Sequence, residues 1–344
     1  VFESFGVVLL SSAVVWWFSE KLEDAAHVIG YRLDMPESVK GAVLYAVPSS
    51  FPEFSTAVIA VLVLETPVFS VGLGTIAGSA VFNTLLIPAL SVIAAAMAFK
   101  RQGKPMKGIK VSTHVFVRDG LFYLAVVLLL ISVAIWHDMT KMVAAGFLLA
   151  YGIYVAVLYL DTRRHKRGRA GESDPDDAPE MGMGAAVTWM AVCVGVIGFA
   201  CYFLVEHTIL LADAMGVNAY VVAVVLTAAA TSVPDTFISV AKARKSGEEA
   251  EASIVNAFSS NIFDILVCLG VPVLLYDGVI RVNVKESILS LSLLAVITFV
   301  ALAAIKLGGR MTRAKAALFM VLYVAFVASA FFNETILSWA GVSF

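Results

Sequence analysis

Ten long apolar stretches, parted by short polar loops, limit what this chain can become more than any other feature. Runs of about 20 mostly apolar residues are long enough to cross a bilayer as helices. They fall at about 3–28, 38–64, 67–99, 112–136, 140–160, 184–212, 217–242, 252–276, 284–306 and 315–340. With 60% hydrophobic and 15% charged residues, the chain is excluded from the water-soluble folds. Lipid offers no hydrogen-bond partners, so every backbone polar group must be satisfied internally, and the expected fold is an all-α integral membrane protein. The first run lacks a basic flank and leads directly into further spans, so no cleavable signal peptide is expected.

One polar interruption is long. Asp161 to Glu180 is charged and holds Gly and Pro, the composition of a flexible linker. It divides the chain into a first five-span repeat (1–160), a linker (161–183) and a second five-span repeat (184–344). Twenty of the 24 Lys and Arg fall in this linker or after spans one, three, seven and nine. Lys141, Arg281 and Lys285 alone lie in the alternate loops, and Arg118 starts span four. The positive-inside rule then places the linker in the cytoplasm and both termini outside. Five spans per half is an odd number, so the second half enters the membrane inverted.

The two halves repeat one pattern. Ser49-Ser50-Phe51-Pro52-Glu53 is followed by Gly78-Ser79-Ala80-Val81-Phe82-Asn83. Thr231-Ser232-Val233-Pro234-Asp235 is followed by Ser259-Ser260-Asn261-Ile262-Phe263-Asp264. Pro52 and Pro234 are 182 positions apart, and Asn83 and Asp264 are 181 apart. Proline removes a helix donor and strains the carbonyl four residues back. Inverted repeats with helices interrupted in matching places are the architecture of a secondary transporter, with its site near the midplane.

A carboxylate at the bilayer centre costs about 2.5–3.5 kcal/mol even on lenient scales, so each is a functional candidate. Glu53, Asp235 and Asp264 have no Lys or Arg at comparable depth in the sequence. Mobile cations, metal ions or protons, must therefore neutralise them. Ser49 shares a helical face with Glu53, Thr231 with Asp235, Ser79 with Asn83 and Ser260 with Asp264, each four residues apart. Hydroxyls, carbonyls and carboxylates are hard donors that suit calcium, sodium or magnesium rather than copper or zinc. Gly72, Gly74 and Gly78 make span three narrow, so a neighbouring helix can come close. Cys193, Cys201 and Cys268 lie in apolar runs without metal-ligand spacing and are expected to pack the core. Glu20, Glu23, Asp24 and His27, and Glu206 with His207, sit near span ends and suit an interface or an access path.

These motifs resemble the calcium/cation antiporter superfamily, and within it the sodium/calcium exchangers. Gly74 to Asn83 is similar to the first repeat of the potassium-dependent branch, and Ser260 to Asp264 to its second repeat. Thr231 to Phe237 is similar to the potassium-independent branch. The resemblance implies ten helices, a central four-helix ion-binding core and two tilted gating helices, spans one and six. It implies Glu53 and Asp235 as central calcium ligands, with Asn83 and Asp264 flanking them. It assigns Ser49, Ser50, Ser79, Thr231, Ser232 and Ser260 to sodium sites, with backbone oxygens of Ala46 and Ala228. Several sodium ions would exchange for one calcium by alternating access. The family usually carries Gly-Thr-Ser before its Pro-acid pair; here Pro48-Ser49-Ser50 and Ala230-Thr231-Ser232 stand instead.

The expected function is thus secondary active exchange of sodium for calcium, with no cofactor and no nucleic-acid partner. The expected partners are the lipid bilayer and inorganic cations, and a monomer is expected to suffice for transport. The expected location is the plasma (inner) membrane of a prokaryote. Protons could replace sodium, magnesium could replace calcium, and Asp264 suggests potassium co-transport. A different class, an intramembrane aspartyl protease built on Asp235 and Asp264, would leave Glu53, Asn83 and the hydroxyls without purpose.

Overall fold

The computed structural model describes residues 2–33, 46–64, 68–103, 106–136, 138–165, 181–332 and 336. Among them, nine helices are long and apolar enough to span a membrane. They are α1 (Phe2–Arg32), α3 (Phe69–Arg101), α4 (Thr113–Trp136), α5 (Lys141–His165), α6 (Met183–Met215), α7 (Ala219–Lys245), α8 (Gly247–Leu275), α9 (Val284–Lys306) and α10 (Arg313–Phe331). The remaining span comprises two shorter pieces, α2a (Ala46–Ser49) and α2b (Phe51–Val63). The expected start of that span, at 38–45, lies outside the described residues, as does most of the central linker.

Neighbours repeat across the two halves. α1 packs on α6 along much of its length, and α2b on α6 is matched by α7 on α1. α3 against α10 is matched by α8 against α5, and α4 lies beside α9. Two short antiparallel strand pairs make the same point. β1 (Ile109–Lys110) pairs with β4 (Arg310–Met311), and β2 (Asp138–Met139) pairs with β3 (Ile280–Arg281). β1 follows α3 as β3 follows α8, and β2 follows α4 as β4 follows α9. Exchanging the halves therefore turns one strand pair into the other, which is the signature of an inverted repeat.

The core is α2, α3, α7 and α8. α3 and α8 are buried over most of their length, whereas α1, α5, α6 and α10 leave apolar faces outward, as lipid contact requires. Small residues let the core helices meet. A Cβ on Gly78 would stand 2.0 Å from the Val224 carbonyl oxygen, and one on Gly74 would stand 3.0 Å from the Tyr220 oxygen. A Cβ on Gly72 would meet the Ala57 backbone at 3.2 Å. Only glycine fits at Gly78.

The interruptions do not match as the repeat predicts. α2 breaks at Ser50 (φ −96°, ψ 8°), between Pro48 and Pro52. α7 runs through Pro234 without a break, and its wide π turn lies upstream at Ala223–Thr227. Two prolines four apart remove two donors and crowd two carbonyls, while a single proline is absorbed by a local bend. α8 has its own π turn at Asp264–Cys268, and α2b ends in one at Ile59–Val63. Such turns are common at functional sites.

Candidate ion-binding site

The break in α2 aims Glu53 inward from the first turn of α2b, where it is 2% exposed. Ser79 on α3 donates to Glu53 Oε1 at 3.1 Å. Ser232 on α7 donates in turn to Ser79 Oγ at 2.8 Å, so three core helices meet in one chain of hydroxyl and carboxyl oxygens. The Thr231 and Ser232 hydroxyls also lie close to the Glu53 carboxyl. Thr231 is fully buried and donates to the Ala228 carbonyl at 3.2 Å.

Asp235 (8% exposed) and Asp264 (1% exposed) complete the acidic set. The charges of Glu53 and Asp264 act on Asp235, and that of Glu53 acts on Asp264. The Ser50 hydroxyl lies close to the Asp264 carboxyl, and the Cys268 thiol donates to its Oδ1 at 3.9 Å. Asn83 (1% exposed) donates to Ser79 Oγ at 3.4 Å and to Asn261 Oδ1 at 3.2 Å. Ser260 is buried on α8. Ser49 is half-buried and lines a cavity of about 180 Å³ that also holds Asp235. Ala46 opens α2a, four residues before Ser50.

Several polar atoms of this arrangement are left over. Glu53 Oε2, Asn83 Oδ1, Asp235 Oδ1 and Ser260 Oγ are buried without any hydrogen-bond partner. Leaving a buried polar oxygen unmet is costly, and four in one core from both repeats, two of them carboxyl oxygens, point to a guest that supplies positive charge. Among the described residues no three Asp, Glu, His or Cys side chains draw close enough to form a metal cage by themselves. The acids are instead spaced by hydroxyls, amides and carbonyls. Calcium accepts six to eight such oxygens, at about 2.3–2.6 Å, in loose geometry.

One basic group stands closer than the sequence suggested. Lys242 acts electrostatically on Asp235, but its amine is held by Glu23 Oε1 at 3.1 Å. The acids thus keep no ion pair of their own among the described residues.

Several residues escape a reading of the motifs. Asn261 donates to the Ala80 carbonyl at 3.1 Å and to Thr84 Oγ1 at 3.2 Å. Tyr123 on α4 reaches the same Ala80 carbonyl and Thr84 hydroxyl at 3.4 and 3.3 Å. Under the 181-residue offset Ala80 is the counterpart of Asn261, so this bond joins the two halves at their symmetry axis. That coincidence was available from the offset alone. Two cysteines do more than fill space: Cys268 approaches the Ser50 carbonyl at 3.8 Å and Cys201 the Pro52 carbonyl at 3.7 Å, both at the break in α2.

Comparison with known proteins gives the family and the fold. The family model described as "Sodium/calcium exchanger protein" matches residues 3–160 and 185–332. The chain is 22% identical over 284 residues to the inner membrane protein YrbG of Escherichia coli, covering 79% of this chain and 80% of that one. It is 28% identical over 145 residues to a probable sodium/potassium/calcium exchanger of Drosophila melanogaster, covering 40% of this chain and 23% of that longer protein. Its fold is similar to the crystal structure of the H+/Ca2+ exchanger CAX (TM-score 0.72, 16% identity, 98% of this chain and 85% of that chain). It is also similar to the sodium-calcium exchanger NCX_Mj (TM-score 0.61, 19% identity, 95% and 98%). The family comprises membrane transporters, not proteases, and this chain's ten helices in two inverted repeats around a four-helix core share the fold of CAX and NCX_Mj. The chain belongs to the sodium/calcium exchanger protein family.

Proposed function

We propose that this antiporter exchanges sodium for calcium by alternating access, with Glu53 and Asp235 as the central calcium ligands. The observation that carries this reading is the set of buried, unpartnered oxygens contributed by both repeats, Glu53 Oε2 and Asp235 Oδ1 foremost. Ser49, Ser50, Ser79, Thr231, Ser232 and Ser260, with the backbone oxygens of Ala46 and Ala228, supply the neutral donors that sodium accepts. Asn83 and Asp264 flank the centre. The gating helices α1 and α6, one from each of the two repeats 1–160 and 184–344, slide across the core that holds this site, with the linker on the cytoplasmic side and the chain in a prokaryotic inner membrane.

Potassium dependence is a second reading with its own support. Asp264 brings a third carboxylate to the centre, and several relatives carry sodium/potassium/calcium exchanger as their name. The test is uptake of radioactive calcium by proteoliposomes under an outward sodium gradient, with and without potassium, against an outward proton gradient. Sodium-driven uptake that Glu53→Gln abolishes is expected. Uptake driven by protons alone, or magnesium uptake in its place, would overturn the assignment.

A further inference from the structure

The ion pair between Glu23 and Lys242 takes no part in the coordination described above. Lys242 Nζ donates to Glu23 Oε1 at 3.1 Å and so ties the peripheral helix α1 to the core helix α7. A stack of Trp16 on Phe237, with ring centroids 4.5 Å apart, ties the same two helices nearby.

Two cavities meet at this pair. The outer one, about 690 Å³, is lined by Glu20, Asp24 and His27, which are exposed. The inner one, about 180 Å³, reaches Ser49, Asp235 and Ser239. Glu23, Ile238 and Lys242 line both. The pair thus stands in the wall shared by the outer cavity and the one that reaches Asp235.

We propose that the Glu23–Lys242 pair is a gate on the ion path to Asp235, shutting the inner cavity while it is formed. Seven residues are two helical turns, so Lys242 lies on the same face of α7 as Asp235. Side chains on a helix lean towards its N-terminus, which for Lys242 is towards Asp235. The pair is also half-exposed, and such pairs are weak enough to open readily. Its significance for transport rests on Asp235 being an ion ligand; its action as a gate does not.

The test therefore reads access and not transport. Ser239 is buried in the inner cavity (6% exposed), and Cys193, Cys201 and Cys268 are buried elsewhere. Ser239→Cys in the purified full chain would be labelled with a charged, membrane-impermeant thiol reagent in detergent, with the parent chain as background. Glu23→Gln and Lys242→Gln, each added to Ser239→Cys, are expected to speed labelling about five-fold, the factor by which losing one exposed ion pair shifts an equilibrium. The exchange Glu23→Lys with Lys242→Glu keeps the pair with its charges reversed and is expected to restore slow labelling. Equal rates in all four proteins, or a charge-reversed pair that labels as fast as the single variants, would overturn the gate.

Discussion

Gly78→Ala puts one methyl group where α3 crosses α7, and its effect can be worked from the structure. The new Cβ would lie 2.0 Å from the Val224 oxygen, 2.8 Å from the Val224 carbonyl carbon and 2.6 Å from the Ala228 Cβ. All three atoms are backbone or nearly so, and none can rotate away. Restoring ordinary contact requires α3 and α7 to part by roughly 1 Å, and overpacking of this kind costs about 1–3 kcal/mol. At about 1.4 °C per kcal/mol for 344 residues, from an unfolding entropy of about 2.1 cal/mol/K per residue, the midpoint of thermal unfolding should fall by about 1–4 °C. The neighbouring Ser79 holds the 2.8 Å bond to Ser232, so the same parting stretches the link between Glu53 and α7. Calcium should consequently stabilise Gly78→Ala less than it stabilises the parent. Gly146 is the control, because a Cβ there meets nothing within 4 Å. Thermal unfolding in detergent, with and without calcium, measures both effects. A Gly78→Ala protein that melts with the parent and gains as much from calcium would refute the close crossing.

Asn261→Ala removes the bonds to Ala80 and Thr84 and leaves Asn83 only the long bond to Ser79 Oγ; the loss should be about 1–3 kcal/mol, read as a lower unfolding midpoint. Asp264→Asn should weaken potassium dependence of calcium uptake while some calcium binding persists, and unchanged dependence would count against the role given to Asp264. At the opposite loop end, Lys141 lies 2.8 Å from Asp277 and holds its carboxyl below the usual range. A depressed carboxylate stabilises the fold above its unfolded value and loses that effect as pH falls through its folded value. Asp277→Asn should thus melt slightly below the parent at neutral pH and level with it in strong acid.

Much of the site was legible because lipid makes polar residues conspicuous. Glu53, Asp235, Asp264 and Asn83 stand out in apolar runs, and all four are buried in the core. The narrow face of α3 at Gly72, Gly74 and Gly78 was equally plain, since no other residue lets backbones approach so closely. The asymmetry between α2 and α7 was not. Pro52 and Pro234 occupy matching positions, but Pro48 has no partner in the second half, where Ala230 stands, and only the doubled proline breaks its helix. Pairings across distant segments were also invisible. Nothing in local spacing brings Glu23 to Lys242, 219 positions away, or Cys201 to the Pro52 carbonyl. Such contacts follow from how α1 and α6 lie across the core, which is a property of the packed bundle.

The most direct trial of the ion site is anomalous scattering from crystals soaked in calcium or strontium. A single strong peak between the Glu53 and Asp235 carboxyls, lost in Glu53→Gln, is the predicted result. A peak elsewhere, with those two carboxyls bonded only to protein groups, would contradict it.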